Sequence, residues 1–249
     1  MSGSITVTGM VISSMPVGDY DKRLVLLTKE RGKLSVFAKG ARRPNSSLLA
    51  AATPFVFGSF QLYEGRNSYH MQQAGVRSYF TDLPKAQPEI YYGFYFLELA
   101  DYYGQENADE SGMLNLLYLS LKALMNSSID NRLIRRIFEL RMLVVQGEYP
   151  QVRACVSCEN QEDLTAFSWK KHGMLCQVCA PLAQDAQKLD APAVYALQYI
   201  VSVPLKKLYS FTVKPEVQSQ LDQVVGGLME QTLERKIKSR EILDQMTGG

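Results

Sequence analysis

The alternation of apolar and polar residues has a short period over the first 80 positions and a longer one afterwards. Positions 5–15, 24–28, 34–38, 55–63 and 69–80 read as five strands. The second and third flank Glu30-Arg31-Gly32-Lys33, where Gly32 supplies the positive φ that a hairpin turn needs. Five strands with no helix signal longer than a turn fit a small closed barrel, and the OB-fold is the five-stranded type that handles oligonucleotides. An open sheet or an SH3-like barrel is the alternative. From Pro84 the period becomes 3.6 residues, predicting helices over 89–103, 112–125 and 131–146. Pro192 sits at the first turn of a further helix over 193–203, which Pro204 ends. A last helical stretch covers 216–246, with a break expected at Gly226-Gly227. The aromatics between Tyr91 and Tyr103 recur at helical spacing and read as core. The fold expected is therefore α+β and multidomain: a five-stranded OB-fold barrel over 1–80, then an α-helical domain over 81–249 with a zinc-ribbon-like insertion at 153–180.

Composition narrows the class. The chain has 249 residues, 46% hydrophobic and 21% charged, ordinary for packed globular proteins. Glu98 and Asp101 interrupt one apolar run and Arg135, Arg136 and Arg141 another, so no membrane span is expected. With no Lys or Arg before Lys22 and no compact apolar block, a secretory signal is not expected either, and the protein reads as cytoplasmic. The net charge is only +2, but positions 1–80 balance at +6 and positions 81–131 at −6. A basic N-terminal block calls for an anionic partner, nucleic acid being the commonest.

The four cysteines form two pairs, Cys155-x-x-Cys158 and Cys176-x-x-Cys179, with seventeen residues between the pairs. That is zinc-ribbon spacing, and the intervening residues read as a hairpin that brings the two turns together. Four thiolates fill a tetrahedron and leave no position for water or substrate, so the expected Zn2+ is structural. In zinc-finger peptides such an ion contributes about 10–16 kcal/mol of apparent folding energy. His172 lies in the loop and receives no role.

The sequence contains no phosphate-binding glycine loop, no dinucleotide fingerprint and no GxSxG or HExxH motif. His70 is followed by Met71-Gln72, which excludes the deaminase His-x-Glu signature. A binding protein, not an enzyme, is expected.

Three patches carry a resemblance. Asp19-Tyr20-Asp21-Lys22-Arg23, Leu26 to Lys33 and Ala38-Lys39-Gly40-Ala41-Arg42-Arg43 resemble the N-terminal barrel of the bacterial recombination mediator family RecO. Phe138-Glu139-Leu140-Arg141 through Gly147-Glu148-Tyr149-Pro150 is similar to that family's central segment, and Leu233 to Arg240 to its C-terminal signature. The resemblance implies an OB-fold, a helical domain with an embedded zinc module, binding of single- and double-stranded DNA, and annealing of complementary strands. It also implies partners: RecR, the acidic, apolar-ended tail of single-stranded DNA-binding protein, and a functional link to RecA.

The residue chemistry assigns candidates to these roles. Lys22, Arg23, Lys33, Lys39, Arg42 and Arg43 are expected on strand ends and loops of the barrel, able to track phosphates without reading sequence. Tyr20 is a candidate stacking group; Phe37 is read as buried. Arg132, Arg135, Arg136 and Arg141 recur on successive helical turns beside apolar residues, a surface suited to an acidic peptide with a hydrophobic end. The rival expectation is a zinc-ribbon scaffold that binds only proteins, its basic barrel meeting an acidic surface.

Overall fold

A computed structural model describes residues 3–66, 68–80 and 82–248. The chain divides into two compact units, one holding residues 1–121 and 237–249, the other 122–236. The stretch expected as the barrel domain lies inside the first.

In the first unit, β1 (Ser4–Val17), β2 (Asp21–Thr28), β3 (Gly32–Ala38), β4 (Phe57–Glu64) and β5 (Tyr69–Ser78) close into a barrel in the order β1-β2-β3-β5-β4. This is OB-fold topology, with every neighbouring pair antiparallel except β3 and β5. β1 pairs with β4 over Ser4–Met10 and with β2 over Gly9–Val17, and the β1–β2 register shifts between Val11 and Ser13, just past the end of the β4 pairing. Period-two alternation puts Leu34, Val36 and Ala38 inside, with Val7, Val11, Leu24, Leu26, Phe60 and Leu62. Phe37 falls between two inward positions, so it faces outward, half-buried and stacked on His70 at 5.9 Å, and is not the core residue expected. The β2–β3 turn needs its glycine twice over: Gly32 has φ +63, and the Gln105 carbonyl occupies the space of a Cβ. The strand expected from position 55 starts at Phe57, because Phe55 adopts φ 72 to bury its ring against Phe94.

α1 (Glu89–Tyr103) covers the predicted span and packs on β1 and β2, with Tyr95 and Phe96 fully buried as expected of core aromatics. α2 (Ser111–Leu124) follows. In the second unit, α3 (Asn131–Gln146) begins where Asp130 accepts from the Arg132 N–H and ends at Gly147 in the left-handed region. α4 (Ala191–Ser202) carries Pro192 in its first turn, and α5 (Pro215–Thr232) packs against both α3 and α4. Between α3 and α4 lie β6 (Leu164–Ser168), β7 (Gly173–Cys176) and β8 (Gln187–Lys188), a three-stranded sheet in the order β7-β6-β8.

The break expected at Gly226-Gly227 is not there. α5 runs straight through both glycines, and the interruption falls after Thr232, before α6 (Lys238–Thr247) in the first unit. The glycines serve close approach: the Trp169 indole lies where a Gly227 Cβ would be, and donates from Nε1 to the Val224 carbonyl at 3.0 Å. α6 starts separately because Glu98 of α1 caps it, accepting from the Lys238 and Ser239 N–H groups at 3.2 and 2.8 Å and from the Ser239 hydroxyl.

Gly227→Ala should therefore lower stability by about 1–3 kcal/mol in urea unfolding and disturb the fluorescence of Trp169, the sole tryptophan. Gly226→Ala, whose Cβ would meet the Arg136 guanidinium at an ordinary 3.6 Å, should be neutral or slightly stabilising.

Candidate metal centre and nucleic-acid interface

The second unit builds its cysteine site on two tight turns. Val156 N–H donates to the Met174 carbonyl and Cys155 N–H to the Asn160 carbonyl, which fixes the first turn against β7. Cys176 ends β7, and Cys179 N–H donates back to its carbonyl at 3.1 Å. The β6–β7 hairpin expected from the sequence holds the turns together, and Asp185 locks its connection by accepting from the Ser168 hydroxyl and the Lys170 N–H. All four Sγ atoms lie within 4.8 Å of one another, with Cys158 and Cys176 at 3.6 Å. A tetrahedral ion with metal–sulfur bonds near 2.3 Å has sulfurs about 3.8 Å apart, so the four residues fit one.

The thiol chemistry agrees. Burial opposes ionisation of Cys155, yet N–H groups of Cys176, Ser157 and Cys158 aimed at its sulfur bring its pKa down to about 6. Cys179 is pushed up to about 12, chiefly by hydrogen bonds with Cys158 and Cys176 and further by the negative charge of Cys155. Four thiolates this close repel one another unless a cation sits among them. His172 lies outside the cluster, its Nε2 3.1 Å from the Glu148 carbonyl.

Most of the barrel cations gather at one end. Register places Lys22 opposite Ala38 and Arg23 opposite Phe37, so the start of β2 adjoins the end of β3. The chain then turns through Lys39, Gly40, Arg42 and Arg43, held by Asp21 accepting from the Gly40 N–H at 2.7 Å and by Arg42 N–H donating to the Tyr20 carbonyl. Arg23, Lys39, Arg42 and Arg43 are exposed. Their recorded contacts are with uncharged groups: Arg23 Nε donates to Ser35 Oγ, Arg42 to the Gly18 carbonyl, and Arg43 lies over the exposed Tyr20 ring at 5.1 Å. Asp21 was not among the expected site residues, although an Asp beside a Lys-Arg pair was the available signal.

Two of the six cations behave differently. Lys22 turns inward to donate to the Ala52 carbonyl at 2.7 Å, and burial, followed by the neighbouring Arg42, lowers its pKa. Lys33 sits at the other end of the β2–β3 hairpin, bonded to the Asp101 carbonyl at 2.6 Å and paired with its carboxylate at 3.3 Å. It joins the barrel to α1 and stands apart from the cationic end.

The α3 arginines are mostly internal, against the expectation of a peptide-binding face. Arg135 and Arg136 pair with Glu139, which is fully buried, and Arg136 also pairs with Asp222 of α5 at 2.8 Å. Burial works against the Arg136 charge, but Glu139 and Asp222 outweigh it and raise its pKa. Arg141 donates to the Ile200 and Val201 carbonyls at the end of α4. Arg132 alone of the four stays largely exposed, while reaching Asp222. The buried Glu139 needs these guanidiniums and stands at i+4 and i+3 from Arg135 and Arg136, a helical pairing the sequence itself offers, whereas Asp222 comes from the distant α5.

A closed OB-fold barrel with one cationic end, followed by a helical unit that carries four cysteines placed to bind a metal ion, defines a two-part OB-fold protein. The family model for "Recombination protein O N terminal" matches residues 1–80 and that for "Recombination protein O C terminal" matches residues 88–241. The chain belongs to the RecO family of DNA repair proteins. Similar proteins include the DNA repair protein RecO of Acetivibrio thermocellus, 31% identical over 93% of this chain and 92% of the relative. That of Exiguobacterium sibiricum is 31% identical over 96% and 95%, and that of Bacillus subtilis 29% over 96% and 93%.

Native mass spectrometry should find one ion above the chain mass. Its removal by a strong chelator should unfold the 150–190 segment, read as a change in Trp169 fluorescence at the β6–β7 turn. Arg135→Met/Arg136→Met should cost about 3–5 kcal/mol by stranding the buried Glu139, which both guanidiniums pair, measured by urea unfolding; wild-type stability would show the buried network to be dispensable.

Proposed function

We propose that this protein is a recombinational repair mediator that binds single- and double-stranded DNA and anneals complementary strands. With RecR and single-stranded DNA-binding protein, it assists the loading of RecA in the cytoplasm. The observation that carries this reading is the exposed group Arg23, Lys39, Arg42 and Arg43 at one barrel end, where the three arginines contact uncharged groups and the carboxylate of Asp21 accepts from the Gly40 N–H. Two DNA strands repel through their phosphates, and a cationic surface that binds both lowers the barrier to pairing. Arg43 stacked on Tyr20 adds a π-face for a base beside a phosphate-binding charge. The work consists of binding and screening, so it needs no nucleotide and no catalytic residue. The ion in the cysteine centre is Zn2+, the choice of a closed four-thiolate tetrahedron, and its role is to hold the β6–β7 segment folded. Of the arginines expected to meet the acidic tail of single-stranded DNA-binding protein, Arg132 keeps an exposure suited to it.

A scaffold that binds proteins alone is the second reading, favoured by Val178 and Leu182 beside the metal centre, 79% and 82% exposed. Fluorescence anisotropy with a single-stranded oligonucleotide separates the two. Four neutralised phosphates predict a log–log salt slope of about −2.8. Lys39→Ala/Arg42→Ala/Arg43→Ala should reduce the slope to about −0.7 and suppress annealing. Undiminished annealing by this variant would remove the barrel end from the mechanism, and no binding at low salt by the wild type would leave the scaffold reading.

A further inference from the structure

We infer a second single-strand contact site in the helical unit, on the aromatic groove formed by α4 and the chain that leads into α5. It rests on the proposed DNA-binding function and deepens it, since annealing requires a grip on two strands. Tyr195 and Tyr199 are one turn apart on α4, their rings 6.3 Å apart and inclined by 31°, and Phe211 meets Tyr199 edge-on at 5.0 Å. The groove encloses about 440 Å3 and is lined mainly by apolar side chains, with Lys214 at its rim.

Its geometry is held in place before any ligand arrives. Pro204 ends α4, and Val203 and Leu208 are buried and anchor the returning chain. The Tyr199 hydroxyl donates to the Lys207 carbonyl at 3.1 Å and lies 3.1 Å from Ser210 Oγ, whose own proton goes to the same carbonyl at 2.7 Å. Those bonds fix Phe211 beside α4 and leave Lys206, Lys207 and Lys214 exposed along the connection. Positions 191–215 contain these three lysines and no Asp or Glu. The flanking Asp190 accepts from the Gln220 side chain at 2.7 Å.

A soluble surface has no packing reason to leave the Tyr195 ring 67% exposed beside two further aromatics. Serial π-faces with cations alongside are the chemistry that holds a single strand: bases stack and phosphates meet ammonium groups, without sequence reading. An acidic peptide ending in an aromatic residue is the competing occupant. The strand fits better because the groove offers a carboxylate no guanidinium fork, and the Tyr199 and Ser210 hydroxyls already spend their protons on the Lys207 carbonyl.

The test uses the full chain with iodouracil-substituted oligothymidylate, photocrosslinked and mapped by mass spectrometry. Crosslinks are expected at Tyr195 as well as at the barrel end. In the Lys39→Ala/Arg42→Ala/Arg43→Ala background, Tyr195→Ala should weaken oligothymidylate binding by ~5-fold or more, with an unchanged melting temperature. Lys206→Gln/Lys207→Gln/Lys214→Gln should weaken it independently, which keeps the test valid if the tyrosine variant misfolds. Crosslinks confined to the barrel, with both groove variants binding as their parents do, overturn this site and leave the proposed function standing. Groove variants that keep the DNA crosslinks but lose a polyaspartate peptide ending in phenylalanine overturn it in favour of a peptide groove. A wild type that binds no DNA removes the proposed function and this site with it.

Discussion

Barrel closure depends on β1 pairing with two neighbours at once. A fourteen-residue strand pairs with β4 over Ser4–Met10 and with β2 over Gly9–Val17, so Gly9 and Met10 are shared by both neighbours. The opposite seam is slight, since β3 and β5 meet only at Val36–Tyr69 and Phe37–His70. Without this double pairing the five strands would be an open sheet with two exposed edges. Beyond Met10, β1 continues paired with β2 as far as Val17. There Ser14 and Lys22 both donate to the Ala52 carbonyl and draw the long β3–β4 connection under the hairpin. Ala41, Leu48, Ala52 and Val56 of that connection plug this end of the core. The cationic end is assembled beside it by the β2–β3 register, which sets Arg23 opposite Phe37, and by the turn after β3 that carries Lys39, Arg42 and Arg43.

What could be read from the chain was what is encoded locally. α1 and α3 fall on their predicted spans, α1 as an apolar run bounded by Pro88 and Gly104, and α3 as an amphipathic run of 3.6-residue period with an Asp130 cap and a Gly147 stop beside it. The metal centre was legible because two CxxC turns state their chemistry in the spacing alone. Long-range pairing was not legible. Lys33 meets a carboxylate 68 residues away, and Arg136 one that is 86 residues away, although Glu139 three residues on was a local sign that Arg136 is paired. Gly226-Gly227 failed for a related reason. Helix propensity treats a glycine pair as a weak point, whereas here the α5 backbone is cleared at Gly227 for an indole arriving from a hairpin turn. Phe37 failed within a single strand, where hydrophobicity suggested the inside and the two-residue period placed it outside.

The distinction that organises both units is the chemical class of each cation's partner. Arg135 and Arg136 face a buried carboxylate, so their charge is cancelled where it arises and they act as packing elements. Lys33 is likewise balanced by Asp101. At the barrel end the partners are a serine hydroxyl, a backbone carbonyl and an aromatic ring. Neutral partners orient a guanidinium without lowering the net charge it presents, so the local potential reaches outward until salt screens it over about 8–10 Å. Lys33 and the α3 arginines beside Glu139 are thereby neutralised within the fold, whereas Arg23, Arg42 and Arg43 keep an exposed charge that their partners orient without cancelling.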